Sequence, residues 1–137
     1  MISKSKVIVR YAETDQMGIV HHSVYAIWYE LARTEYIKKL GISYSQMEQM
    51  GIMTPLYELH SKYLSPAKYE DELTICVWVK QLKPITIEFY YEIYKSQEEK
   101  PINIGSTIHA WVGTDLKPMN LKKKFPEIYQ KIENMIE

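Results

Sequence analysis

Cysteine is almost missing from this chain. Cys76 is the only one, so no intrachain disulfide is possible, and one thiol cannot build a Cys-based metal site alone. No histidine is patterned around it, and it reads as a small core residue on a strand. A charge excess is missing too. The 17 basic and 17 acidic residues cancel, which does not favour nucleic acid or an anionic membrane as the main partner. No apolar run reaches the ~18 residues of a membrane span. The opening Met-Ile-Ser-Lys-Ser-Lys lacks the apolar stretch of a secretory signal, and a cytoplasmic protein is expected. There is no glycine-rich phosphate cradle, so nucleotide hydrolysis has no support. Repeats, low-complexity tracts and interdomain linkers are also lacking.

What is present fits one domain spanning residues 1–137, with 46% hydrophobic and 25% charged residues, enough for a real core. Twelve tyrosines and three tryptophans suit subunit interfaces and mixed pockets. Residues 4–11 alternate, with Lys4, Lys6, Ile8 and Arg10 opposite Val7, Val9 and Tyr11, which predicts a half-buried strand. A polar loop, Glu13 to His22, follows and contains Gly18. Then comes a helix pattern. Ser23 stands as N-cap, Val24, Ile27, Trp28, Leu31, Ala32, Tyr36, Ile37 and Leu40 follow at helical spacing, and Gly41 stands just past the end. Tyr25, Ala26 and Tyr29 make its first turns apolar almost all round, so that end is expected to be buried.

Ser43 and Gln46 have capping-box spacing for a short helix closed by Gly51. Residues 55–64, 73–80, 85–94 and 104–112 read as strands, the last three as an antiparallel meander. Residues 120–125 read as a basic connector, and Pro126 as N1 of a last helix. One long apolar helix with an antiparallel sheet is an α+β domain.

The run from Arg10 to Gly41 closely resembles the acyl-CoA thioesterases of the 4-hydroxybenzoyl-CoA thioesterase group. The matching residues are Arg10-Tyr11, Thr14-Asp15, Gly18-Ile19-Val20, His22, Tyr25, Glu30, Arg33, Thr34 and Glu35. The likeness continues more weakly to about Thr114. The resemblance implies the hotdog fold, a curved sheet wrapped round one central helix. It also implies homo-oligomers, dimers or tetramers, with active sites between subunits. The activity implied is hydrolysis of an acyl-CoA to a carboxylic acid and free coenzyme A, with no other cofactor and no metal.

An aspartate in a turn is most often a solvated turn former. The resemblance sets Asp15 on the family's catalytic carboxylate, as base or nucleophile, and the positive end of the helix suits a carboxylate there. It sets His22 where a backbone N–H polarises the thioester carbonyl, with the ring in an orienting role. It sets Tyr11 in the pocket. From the residues alone, His22 reads as an ordinary helix-opening residue and Tyr11 as interface or core. Glu13 reads as a surface charge, and Glu30 with Arg33 as an i,i+3 pair on the helix surface. Thr107 and His109 lie on a strand that borders the pocket. Lys122, Lys123 and Lys124, with Lys117, form a basic patch able to meet coenzyme A phosphates, or else a solvated connector.

Two alternatives use the same fold. One is a protein that binds acyl-CoA, or a carrier-protein thioester, without hydrolysing it. The other is a hydratase or dehydratase, for which the needed acid–base pattern is not found. Neither the acyl group nor the tetramer arrangement is legible.

Overall fold

The computed structural model describes residues 1–136. Glu137, the last residue of the expected domain, lies outside the described residues. Five strands, β1 (Ser3–Ile8), β2 (Leu56–Tyr63), β3 (Glu72–Leu82), β4 (Thr86–Lys95) and β5 (Asn103–Ala110), form one sheet in the order β1-β3-β4-β5-β2. Every neighbouring pair is antiparallel. The long helix α1 is Val24–Lys38, and α2 is Tyr44–Gln49. A single turn α3 (Leu121–Lys124) and the helix α4 (Pro126–Glu133) close the chain. None of these helices is long and apolar enough to cross a membrane.

β1 and β2 lie on opposite edges, so the chain crosses the whole sheet between them, and α1 makes the crossing. Glu35 accepts from Ser5 of β1, Tyr29 bonds Ser61 of β2 and Asn103 of β5, and Arg33 donates to Tyr91 of β4. The helix also packs along β3. A helix touching all five strands is wrapped by the sheet, as the resemblance implies. Bulges at Val79/Gln81 and Leu56/Glu58 add the local twist that curling needs. Trp28, Tyr29, Ala32, Tyr36 and Ile37 of α1 are buried in one core with Ile75, Val77, Phe89, Tyr91 and Ile93.

The apolar circumference of α1 is covered on one side only. Ile27 is 61% exposed and Leu31 37%. β2 is exposed along almost its whole length, including Leu56, Tyr57, Leu59 and Tyr63.

The Ser43–Gln46 capping box, the left-handed Gly41 and Gly51, and Pro126 at a helix start all hold. The first strand alternates but ends at Ile8, short of the expected Tyr11, which falls in a 3-10 turn. Residues 120–125 differ from expectation. The Asn120 side chain accepts from the Lys123 amide at 3.0 Å and caps α3, so the basic stretch is helical where a connector is expected.

β5 runs against its hydrophobicity. Ile104 is exposed and Ile108 half-buried, while Asn103, Thr107 and His109 point inward and are buried. They answer tyrosines. Tyr29 donates to Asn103 Oδ1. The Asn103 amide donates to Ser61 Oγ at 2.9 Å, and Ser61 returns its proton to Tyr29 Oη at 2.9 Å. The Tyr29 ring stacks on Tyr91 at 4.2 Å. Arg33 donates to Tyr91 Oη at 3.1 Å, and Tyr91 bonds the Thr107 hydroxyl. Thr107 reaches His109 Nε2 at 3.0 Å, and His109 Nδ1 lies 3.1 Å from the Thr54 carbonyl. One assignment of protons satisfies every link, with His109 neutral and protonated on Nδ1. Burial, and then the charge of Arg33, hold its pKa down at about 4. Burial pushes the Tyr29 hydroxyl up to about 12. Three expectations are corrected here. Thr107 and His109 belong to the core network and do not line the cleft around Asp15. Arg33 serves Tyr91 rather than pairing with Glu30.

Candidate active site

The loop before α1 is built on its own backbone. Gly18, at φ +79°, permits the tight reversal in which its amide donates to the Asp15 carbonyl at 2.9 Å and the Asp15 amide donates to Ile19 at 2.9 Å. One oxygen of the Asp15 carboxylate accepts from the Met17 amide at 2.8 Å. The other has no donor among the described residues, and the side chain is half-buried. Glu13 is buried, not a surface charge. Its carboxylate accepts from the Arg10 amide at 2.7 Å, and its carbonyl accepts from the His21 amide at 2.9 Å. The expectation missed this because the partner is a backbone group, which leaves no mark on side-chain patterning.

The helix opening also differs in detail. Ser23 does not cap with its side chain, since its backbone is already helical. The Val24 amide bonds the His21 carbonyl at 3.0 Å. His21 Nδ1 instead takes the Ser23 amide at 3.2 Å and the Ser23 hydroxyl at 2.8 Å. The chain enters the helix through one extra turn, so the acceptor falls two residues earlier. The His22 carbonyl accepts from the Tyr63 hydroxyl at 3.1 Å. The His22 amide has no acceptor among the described residues, and it sits at the electropositive end of α1.

Asp15 and His22 line one cleft of about 340 Å³ with Val20, Tyr25, Tyr63 and Ser65. Its floor is aromatic. Tyr25 stands edge-on to Tyr63 at 5.0 Å and to Trp28 at 5.2 Å. The cleft is therefore lined by a residue with a carboxylate oxygen that has no donor and by a residue whose N–H has no acceptor among the described residues, beside aromatic rings. That is the donor and acceptor set required at an ester or thioester carbonyl under attack by water.

The other expected site residues fall elsewhere. Tyr11 sits in a 3-10 turn, 76% exposed, edge-on to Tyr69 at 5.7 Å, and does not line this cleft. Lys122, Lys123 and Lys124 are exposed on α3, and none of them lines it. Tyr63 does line it, and sequence reasoning missed it. The available signal was an aromatic ending an otherwise solvent-facing strand just before Ser65-Pro66.

The family described as the thioesterase superfamily matches residues 17–102 of this chain. The putative acyl-CoA thioesterase YneP of Bacillus subtilis is 37% identical over 127 residues, covering 92% of this chain and 91% of that one. A putative esterase of Aquifex aeolicus is 34% identical over 88% of this chain and 91% of its own. Among solved structures, a DHNA-CoA thioesterase from Staphylococcus aureus superposes with a TM-score of 0.89 at 36% identity, covering 97% of this chain and 91% of that one.

Proposed function

Since this chain belongs to the thioesterase superfamily, has its hotdog fold and is a thioester hydrolase, we propose that Asp15 and the His22 amide carry the reaction on an acyl-CoA. The supporting observation is that the residue with the free carboxylate oxygen and the residue with the amide lacking an acceptor line the same cleft. Asp15 activates a water, or attacks the carbonyl itself. The carbonyl oxygen gains negative charge and takes the His22 N–H. Where Asp15 takes a proton from water, carbon–sulfur cleavage passes that proton to the departing thiolate, and coenzyme A leaves as the thiol beside a carboxylic acid. Where Asp15 attacks, cleavage leaves an acyl–Asp15 anhydride, which water hydrolyses to the acid and the free carboxylate, with a proton from that water going to the thiolate. An oxyanion donor of this kind contributes roughly 3–4 kcal/mol to a barrier. No resident cofactor takes part in the proposed scheme, and Tyr11 stays outside it.

The uncovered stripe of α1 and the open edge of β2 support a homodimer in which β2 pairs with a second β2 and the partner completes the cleft. Further pairing to a tetramer is compatible with the same surface. In such an assembly Lys122, Lys123 and Lys124 reach the phosphates of coenzyme A. We place the enzyme in the cytoplasm.

The test is Asp15→Asn against wild type on a panel of short, long and aromatic acyl-CoAs, including the dihydroxynaphthoyl thioester named for the staphylococcal protein. We expect kcat to fall about 10³-fold with KM nearly unchanged. Undiminished turnover removes Asp15 from the mechanism.

A further inference from the structure

The peptides around the proposed oxyanion donor are restrained one by one. The His21 amide is held by the Glu13 carbonyl, and the His21 carbonyl by the Val24 amide. The Ser23 amide is held by His21 Nδ1, and the His22 carbonyl by Tyr63 Oη at 3.1 Å. The His22 N–H has no partner among the described residues. Three of these four restraints come from the loop and the helix start themselves. The fourth comes from β2, the opposite edge of the sheet from β1. Tyr63 is well placed to supply it. It is the last residue of β2, its ring packs edge-on against buried Tyr25, and its hydroxyl has no other partner among the described residues.

We propose that Tyr63 is a positioning residue for thioester hydrolysis, its hydroxyl fixing the direction in which the His22 N–H points. This rests on the reading of Asp15 and His22 given above. Tyr63 touches no reacting atom in this account. It holds the 22–23 peptide so that the donor in the preceding peptide is already aimed when the carbonyl arrives, and no reorganisation is needed as charge develops.

Tyr63→Phe keeps the ring and removes only the hydroxyl. Loss of an entire oxyanion donor costs 10²–10³-fold, and loss of one restraint on it should lower kcat about 10-fold, with KM within about two-fold. A second measurement separates aiming from folding. In an Asp15→Asn background, which binds thioester without turning it over, the carbonyl stretch of the bound substrate reports the hydrogen bond it accepts. Adding Tyr63→Phe should move that stretch back toward its value in solution. An unchanged kcat with an unchanged stretch overturns the proposal, as does a rise in KM alone, which would make the ring a wall of the acyl site. Asp15→Asn at full activity defeats the parent reading. Asp15→Asn inactive beside Tyr63→Phe at the wild-type rate defeats this one only.

Discussion

Two polar regions share α1, and they treat their hydrogen bonds in opposite ways. Along the middle of the helix, Tyr29, Asn103 and Ser61 close a ring of three bonds, and Arg33, Tyr91, Thr107 and His109 form a chain that ends on the Thr54 carbonyl. At the front of the helix, the same backbone logic leaves the His22 amide and one Asp15 carboxylate oxygen without partners among the described residues. Buried polar groups left unpaired cost more than a satisfied pair contributes. A closed network therefore suits these inward-facing groups, and an open valence beside a cleft is one that a ligand can fill. The core network gives shape, and the front loop holds the groups proposed for the chemistry.

The sharpest way to break the core side of this comparison is at Gly105. A methyl group there would overlap the Tyr29 ring and hydroxyl. Tyr29 cannot step aside cheaply, because it is stacked on Tyr91 and bonded on both sides. Gly105→Ala should cost about 4 kcal/mol, from overpacking plus broken buried bonds. Thermal denaturation should show a fall in Tm of about 10 °C or more. A loss under 1 kcal/mol would mean the ring is loose and the network dispensable. The front cleft should keep its architecture in any fraction that folds.

The network also carries a pH signature. His109 is held neutral at about 4, against an unfolded value near 6.5. Between these values the unfolded chain binds a proton that the folded chain refuses. Stability from this group is therefore intact above pH 6.5 and falls as pH drops toward 4, by roughly 3 kcal/mol in all. Denaturant titrations across that window should show the slope in wild type and lose it in His109→Gln. An equal slope in both proteins removes His109 as its source.

The two regions were unequally legible. Strand spacing, the capping box at Ser43, Pro126 and the glycines after α1 and α2 are local features, and local sequence predicts them. The loop and helix start that hold Asp15 and His22 were legible through resemblance, since a bare turn aspartate is usually only a turn former. The inward face of β5 was not. Alternation assigns Ile104 and Ile108 to the core, but the facing surface is made of tyrosine hydroxyls, which need Asn103 and Thr107. A hydrophobic pattern cannot register the polarity of a partner strand. Gly105 was the one available hint, since glycine inside a strand marks a close approach. Tyr63 was missed for a related reason: its partner is a carbonyl 41 residues away in sequence.

The smallest effects sharpen the front side. Glu13 bonds Arg10 twice, through the main-chain amide at 2.7 Å and through the guanidinium at 3.4 Å. The Arg10 side chain is 77% exposed, so the ion pair itself is screened and worth little. The bond to the amide is the one that shapes the loop. Glu13→Ala leaves that amide without its acceptor and should cost about 1–2 kcal/mol. It should also lower kcat several-fold, because the Glu13 carbonyl and Asp15 share the loosened turn. Arg10→Ala keeps the backbone bond and should change stability by less than about 0.5 kcal/mol and leave kcat unaltered. Unfolding curves and turnover on the two variants side by side check the order. If Arg10→Ala proves the more damaging, the loop is held by charge rather than by its backbone, and the account of why the His22 amide is left without an acceptor has to be rebuilt.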